Sequence, residues 1–106
     1  MSENRRNEYR VLYPIADRPR LVIGDCTCEV LDLSEHGIRL LAANLPPGSR
    51  DTIDGTVRFA NGEAIQVAGR ILRRTDRQVV VTLDRQPLPY PQIVKEQIRL
   101  LAKYRR

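Results

Sequence analysis

Three arginines near the N-terminus have the chemistry to bind a phosphate-bearing ligand. Arg5, Arg6 and Arg10 belong to the segment RRNEYR at positions 5–10, and the last two are four residues apart. That spacing places both side chains on one side of an extended chain and also on one face of a helix. Guanidinium groups bind phosphate bidentately and pair with O6 and N7 of guanine, and Tyr9 could stack on a base. A solvated basic tail is the alternative interpretation, because so short a motif has little specificity.

A second polar motif, DLSEHG, occupies positions 32–37 after a segment with β-strand alternation. Asp32 and Ser34 are two residues apart and therefore share one face of a strand. A carboxylate can accept hydrogen bonds from N1–H and N2–H of a guanine, and a hydroxyl adds a donor or an acceptor. Gly37 can adopt a positive φ and places no side chain in the way of a ligand. A polar strand end followed by a glycine turn is the alternative interpretation.

The segments that must position these motifs have the pattern of short β-strands. Apolar residues alternate with polar ones or form short runs between turn residues. Six such segments lie at about 21–23, 26–31, 38–42, 56–59, 64–72 and 78–83. Leu31 and Leu33 are expected to face the core, and Asn61-Gly62 predicts a hairpin turn. The sequence therefore predicts a mainly β fold, a closed six-stranded antiparallel β-barrel over residues 11–86.

The pattern changes on either side of the predicted barrel. Residues 1–10 are almost wholly polar, and we expect them to form a flexible arm. Alternating prolines in residues 87–91 exclude a central strand and predict an extended connector. Val94, Ile98 and Leu101, with Ile93 beside them, then follow at helical spacing and predict one amphipathic helix from about residue 92 to 104. Its apolar face is expected to pack on the barrel or on a second subunit, which would make the protein a homodimer.

The composition is that of a small globular protein. The 106 residues carry 18 Lys+Arg and 13 Asp+Glu, a formal net charge of +5. This charge favours an anionic partner but does not identify one. No apolar run reaches the roughly 20 residues of a membrane span, and the first residues lack the apolar stretch of a signal peptide. We therefore expect a single cytoplasmic domain without a membrane span.

Two other groups of residues are poor candidates for chemistry. Cys26 and Cys28, two apart on a predicted strand, match small core residues better than zinc ligands. Even with His36, no fourth ligand stands at a finger-like spacing. Asp32, Ser34 and His36 lie in one five-residue stretch, without the GxSxG elbow of a hydrolase. We therefore expect no metal, no cofactor and no catalysis.

Together, the RRxxxR and DxSxxG motifs resemble those of the PilZ domain family. The resemblance extends over nearly the whole chain in the order of its elements, and both motifs are complete. It implies a six-stranded antiparallel split barrel with a helix after it, and a receptor for the bacterial second messenger cyclic di-GMP. The late strand departs from the pattern: many members have a glycine and a terminal aromatic residue there, whereas this chain has VVVTL at 79–83.

The resemblance also implies which residues bind the dinucleotide. The arginines would contact the phosphates and one guanine face, the acid–hydroxyl pair would read the other guanine edge, and the glycine would keep the site open. The implied ligand-binding residues are Arg5, Arg6, Arg10, Asp32, Ser34 and Gly37, with Tyr9 and Arg39 as additional candidates. An arm that is free without ligand would then order over the nucleotide. Because no output domain is recognisable in the chain, the signal is expected to pass to a protein partner.

Two alternatives to a cyclic di-GMP receptor stay open from the sequence. The first is a small β-barrel that binds nucleic acid through the basic arm and the helix. The chain has only one Phe and four Tyr, with no strand of interleaved aromatic residues on which bases could stack. The second is a degenerate PilZ-like domain that acts only in protein interactions. The complete arginine and DxSxxG motifs count against that second alternative.

Overall fold

The computed structural model describes residues 10–45 and 51–104. Within these ranges the chain forms seven β-strands, a short 3-10 turn at Ile15–Asp17 and one helix, α1, at Tyr90–Tyr104. The strands, in chain order, are β1 (Val11–Leu12), β2 (Arg20–Ile23), β3 (Cys26–Leu33), β4 (Gly37–Leu41), β5 (Thr52–Arg58), β6 (Ala64–Arg74) and β7 (Gln78–Gln86). The 15-residue helix α1 is the longest in the described ranges, and no helix there is long and apolar enough to cross a membrane.

Strands β2 to β7 close into an antiparallel barrel. Around the barrel the order is β3, β2, β5, β6, β7 and β4, and β4 pairs again with β3. The two-residue strand β1 is additional: it pairs with the end of β3, on the edge opposite β4. The predicted six-stranded antiparallel barrel with a C-terminal helix is therefore confirmed, with one extra strand.

Aliphatic side chains from all six barrel strands fill the interior. Those with no measurable exposure on the barrel strands are Leu21, Val30, Leu33, Leu40, Val57, Val79, Val81 and Leu83. Burial of each such side chain contributes roughly 1.5–3 kcal/mol relative to leaving it exposed. The VVVTL segment supplies three of these eight residues, so this late strand builds the core with valine and leucine.

A β-bulge interrupts the alternation of β3 just before Asp32. The register of β3 against β4 shifts between Val30 and Asp32. A bulge inserts one extra residue and so changes which residues face the core. Val30 and Leu33 are consequently both fully buried, whereas Leu31 is only half-buried and lies outside the core. The expectation that Leu31 faces the core is therefore wrong.

Helix α1 packs on the barrel with only part of the predicted apolar face. The helix begins at Tyr90, and Pro91 lies in its first turn, where a missing backbone N–H costs nothing. Ile93 and Glu96 are fully buried. By contrast, 60% of Ile98 and 63% of Leu101 are exposed. Of the two alternatives expected for Ile98 and Leu101, packing on the barrel is therefore wrong, whereas packing on a second subunit stays a prediction.

Candidate functional site

The two sequence motifs meet at one rim of the barrel. Arg10 immediately precedes β1, Asp32 lies near the end of β3, and Gly37 is the first residue of β4. Asp32 pairs with Leu12 of β1 on one side and with Arg39 of β4 on the other. This pairing brings the end of the arginine-rich segment beside the DxSxxG motif.

The carboxylate of Asp32 is held between two guanidinium groups. Nη1 of Arg10 lies 2.5 Å from Oδ1 of Asp32, and Nη2 of Arg39 lies 2.8 Å from Oδ2. Only 3% of the Asp32 side chain is exposed, against 43% of Arg10 and 39% of Arg39. A buried carboxylate needs such partners, because its desolvation costs several kcal/mol. The arginines extend from this anchor to the surface, where their further N–H donors can meet a ligand.

Backbone hydrogen bonds fix the turn that contains the DxSxxG motif. The N–H of Ser34 donates to the carbonyl of Gly37 at 2.8 Å and closes the turn. Leu83 of β7 donates to the carbonyl of His36 at 2.8 Å, and Leu88 of the connector donates to the carbonyl of Glu35 at 2.9 Å. The late strand and the connector to α1 therefore hold the turn in place. Sequence reasoning identified neither of these supports, since both act through backbone groups.

Ser34 is fully buried beneath the rim, with its hydroxyl oxygen 3.5 Å from the carbonyl of Gly37. Its position is therefore internal to the turn, whereas Arg10 and Arg39 reach the surface. Because Ser34 has no exposed surface, a ligand can contact it only if neighbouring side chains move.

Gly37 matters for space and does not use a special backbone conformation. Its φ is not positive, so the turn does not use the positive φ that a glycine can adopt here. A Cβ at this position would lie 3.4 Å from Nη2 of Arg10 and 3.5 Å from Oγ of Ser34. These are ordinary van der Waals distances, so a methyl group fits but a larger side chain would compete with Arg10 for the same space.

Part of the predicted site lies outside the described residues. This applies to Arg5, Arg6 and Tyr9, and with them to the expected flexible arm up to residue 9. Among the candidates that the structure describes, it brings together Arg10, Asp32, Ser34, Gly37 and Arg39.

A buried polar network, missed by sequence reasoning, connects the segment after Arg10 to α1. Glu96 is fully buried; the hydroxyl of Tyr13 donates to its Oε1 at 2.6 Å, and Nε of Arg99 donates to its Oε2 at 3.1 Å. Burial, with the hydrogen bond to Glu96, raises the pKa of Tyr13 well above its usual value. The only sequence signal of this network is the i, i+3 spacing of Glu96 and Arg99 on a helix.

Asp17 forms the second half of this network. Its nearly buried carboxylate accepts hydrogen bonds from Nζ of Lys103 at 2.8 Å, from the hydroxyl of Tyr104, and from Nη1 of Arg99 at 3.5 Å. The hydrogen bonds from Lys103 and Tyr104 lower the pKa of Asp17 to about 2. Because Asp17 ends the 3-10 turn after β1, the network fastens the last turns of α1 to the segment that begins at Arg10.

No group of three or more His, Cys, Asp or Glu side chains in residues 10–45 and 51–104 is arranged to hold a metal ion. Cys28 is buried in the barrel, and burial raises the pKa of its thiol. The arrangement at the rim is instead suited to binding an anion that also offers hydrogen-bond donors, since it pairs two exposed cations with one carboxylate.

Comparison with known proteins gives a family and a fold. The family model for the PilZ domain matches residues 4–100. Among solved structures, the chain is similar to the crystal structure of a Legionella uncharacterized protein, Lpg0364. The two share 11% sequence identity with a TM-score of 0.59, over 90% of this chain and 98% of that one. At this identity the similarity shows the fold alone. No curated protein matches the chain.

Proposed function

Because the chain belongs to the PilZ domain family, a family of cyclic di-GMP receptors, we propose that it binds cyclic di-GMP through the RRxxxR and DxSxxG motifs. PilZ domains are binding and effector modules and not enzymes. The main support from the structure is the pair of partly exposed guanidinium groups, Arg10 and Arg39, held on the buried carboxylate of Asp32. These groups offer cations for phosphate and an acceptor for guanine within one small area of the rim.

The ligand chemistry matches this arrangement. Cyclic di-GMP carries two phosphates, which accept hydrogen bonds, and two guanines, each with donors at N1 and N2. Arg10 and Arg6 contact the phosphates and one guanine face, with Arg5 in support and Tyr9 stacked on a base. Arg39 contributes positive charge. Bidentate contacts of arginine with phosphate and with guanine O6 and N7 are among the strongest that a side chain makes.

Only 3% of the Asp32 side chain is exposed, so a guanine edge reaches its oxygens only when one of the arginines that hold it moves aside. We propose that Arg10 leaves Oδ1 of Asp32 and turns to the ligand, while Arg39 stays on Oδ2. The freed oxygen then accepts the guanine N1–H or N2–H. The exchange replaces the hydrogen bond from Arg10 with one from the guanine, so the buried carboxylate keeps its partners throughout. Ser34 supports the same edge from beneath, and Gly37 leaves the space in which Arg10 moves.

Ligand binding is passed on through the segment that follows Arg10. Residues 5–10 order over the nucleotide, and Arg10 continues directly into β1. In our proposal the changed surface is read by a protein partner. Homodimerisation through α1 and a cytoplasmic location stay predictions from the sequence.

Isothermal titration of the whole chain with a panel of ligands tests this proposal. The panel contains cyclic di-GMP, cyclic di-AMP, single-stranded DNA and single-stranded RNA at matched ionic strength. We expect heat with cyclic di-GMP and at least about tenfold weaker binding of cyclic di-AMP, because adenine lacks the N1–H and N2–H donors. Salt-dependent binding of DNA or RNA without binding of cyclic di-GMP would instead favour the nucleic-acid-binding barrel. Absence of binding to every ligand would favour the interaction module.

A further inference from the structure

An apolar groove of about 740 Å³ lies between β1 and α1, and Arg10 is among the residues that line it. Its walls include Leu12 and Pro14 on one side and Ile98, Leu101 and Tyr104 on the other. Leu12 is 69% exposed, and Ile98 and Leu101 are more than half exposed as well. Contiguous exposed apolar surface of this kind marks interaction sites, because single scattered apolar residues are normal but clusters are not.

The charges around the groove favour an acidic occupant. Arg10 is the one charged side chain among the described residues that line it. Beside the groove, Asp17 and Glu96 are buried, whereas Lys103, which covers Asp17, is half exposed. This face therefore presents cations outward and keeps its carboxylates inside. The net charge of +5 acts in the same direction over longer distances.

The shape of the groove favours a helix over a small molecule. Ile98 and Leu101 are three residues apart on α1 and form a ridge of the kind that packs between two helices. A small ligand is normally enclosed over most of its surface, but the strongly exposed walls here leave one side open. An amphipathic helix that lays its apolar face along a groove has the matching shape.

We propose that the groove between β1 and α1 binds an acidic amphipathic helix of a protein partner. The apolar face of that helix covers Leu12, Ile98 and Leu101, and its carboxylates lie near Arg10 and Lys103. A second copy of the chain fits less well, because Glu96, the one carboxylate on its α1, is buried and cannot meet Arg10 and Lys103. The groove thus supplies the protein-binding surface that a receptor of this kind needs.

Arg10 gives this surface a direct connection to the ligand site. It lines the groove and also donates to Asp32 at the rim. If Arg10 turns to cyclic di-GMP, the charge that lines the groove moves, so ligand and helix affect each other's affinity by the same factor. This coupling rests on the proposed function, whereas the helix-binding groove does not.

A synthetic amphipathic peptide tests the groove directly. The probe has leucines on one face and glutamates on the other, and its control carries lysines in place of the glutamates. Binding is followed by methyl and amide NMR shifts of the whole chain. We expect shifts at Leu12, Ile98 and Leu101 with the glutamate peptide, and at least about tenfold weaker binding by Ile98→Asp.

Leu72→Asp is the matched control variant. Leu72 lies on β6, and like Ile98 it is 60% exposed, so the substitution adds the same charge without touching the groove. Both variants should retain the wild-type thermal unfolding midpoint, and Ile98→Asp should retain wild-type affinity for cyclic di-GMP. A glutamate peptide that binds while cyclic di-GMP does not would leave the groove proposal standing and remove only the coupling.

Four results would overturn the groove proposal. In the first, the lysine peptide binds as tightly as the glutamate peptide. In the second, Leu72→Asp weakens peptide binding as much as Ile98→Asp does. In the third, the glutamate peptide causes no shifts at the groove. The fourth is evidence of another occupant. Sedimentation that shows a wild-type dimer which Ile98→Asp dissociates would assign the groove to a second copy of the chain. Nuclear Overhauser contacts from groove methyl groups to residues 1–9 would assign it to the chain's own N-terminal segment.

Discussion

Arg10 and Asp32 are 22 residues apart in the chain, yet Nη1 of one lies 2.5 Å from Oδ1 of the other. The pair joins the last residue of the RRxxxR motif to the first residue of the DxSxxG motif. Because Asp32 is buried and Arg10 is partly exposed, the carboxylate anchors one end of the guanidinium and leaves the rest facing solvent. One motif therefore positions part of the other.

Replacement of Arg10 by alanine is expected to weaken cyclic di-GMP binding by about ten- to a hundredfold. A hydrogen bond to a charged group contributes roughly 1.5–3 kcal/mol, and each 1.4 kcal/mol is about tenfold in affinity. The sequence predicts the same result for Arg6→Ala. Isothermal titration measures the affinity, and circular dichroism checks that the barrel stays folded.

Arg58→Ala is the control for the loss of one positive charge. Arg58 is exposed at the end of β5, the strand farthest from β4 around the barrel. Its replacement should leave the affinity for cyclic di-GMP nearly unchanged. An equal loss of affinity in both variants would mean that overall charge, and not the position of Arg10, is responsible.

Asp32→Asn is expected to reduce the preference for guanine over adenine. The amide keeps the shape of the carboxylate but replaces one of its two acceptor oxygens with an NH₂ donor, and guanine presents donors at the same edge. Cyclic di-GMP binding should weaken by about tenfold or more, and cyclic di-AMP binding should weaken less. The ratio of the two affinities from parallel titrations is the measured quantity. An unchanged ratio would show that Asp32 acts only by orienting Arg10 and Arg39.

Gly37 should tolerate alanine but not leucine. A Cβ would lie 3.4 Å from Nη2 of Arg10, an ordinary contact, so Gly37→Ala should bind cyclic di-GMP nearly as the wild type does. The longer side chain of Gly37→Leu would compete with the Arg10 guanidinium and should cost about tenfold in affinity. The experiment compares the two variants by titration and by urea unfolding. Equal affinities would contradict the role of this glycine as a space for Arg10.

Asp17 should make the free energy of unfolding depend on pH below about 4. Hydrogen bonds from Lys103 and Tyr104 lower the pKa of Asp17 from 3.8 to about 2 in the folded protein. A lowered carboxyl pKa contributes stability that is present above the unfolded value and is lost as pH falls through the folded value. Urea unfolding between pH 2 and pH 5 should therefore show a shallower pH dependence for Asp17→Asn than for the wild type.

Asp25→Asn is the control for that pH experiment. Asp25 lies in the exposed turn between β2 and β3, so its replacement removes a carboxyl without disturbing α1. The wild-type pH dependence should persist in this variant. If Asp17→Asn also keeps the wild-type pH dependence, the hydrogen bonds from Lys103 and Tyr104 to Asp17 do not stabilise the folded protein as proposed.

The strands are predictable because alternation and turn residues are local signals. The Asn61-Gly62 turn shows this: Gly62 adopts a φ of 95° between β5 and β6. The bulge before Asp32 is not predictable in the same way, because it depends on how β3 pairs with β4. Alternation counted back from Leu33 assigns Leu31 to the core, and the bulge interrupts that alternation between Val30 and Asp32.

The face of α1 that packs on the barrel is predicted only in part, through Ile93. The apolar spacing of the helix predicts that Ile98 and Leu101 are buried, whereas the buried face includes Glu96. Burial of a glutamate is possible only because Tyr13, 83 residues away in the chain, donates to it together with Arg99. No periodicity in the helix itself carries that information. The contact of Arg39 with Asp32 is also not predictable from periodicity, because it follows from the register of β4 against β3.

The most direct test of the central claim is an NMR titration of the isotope-labelled chain with cyclic di-GMP. We expect saturable shifts at Arg10, Asp32, Gly37 and Arg39, including the guanidinium Nε–H signal of Arg10 as it leaves Asp32, with β5 unaffected. Absence of any shift at high micromolar ligand, or shifts confined to surfaces away from this rim, would contradict the central claim.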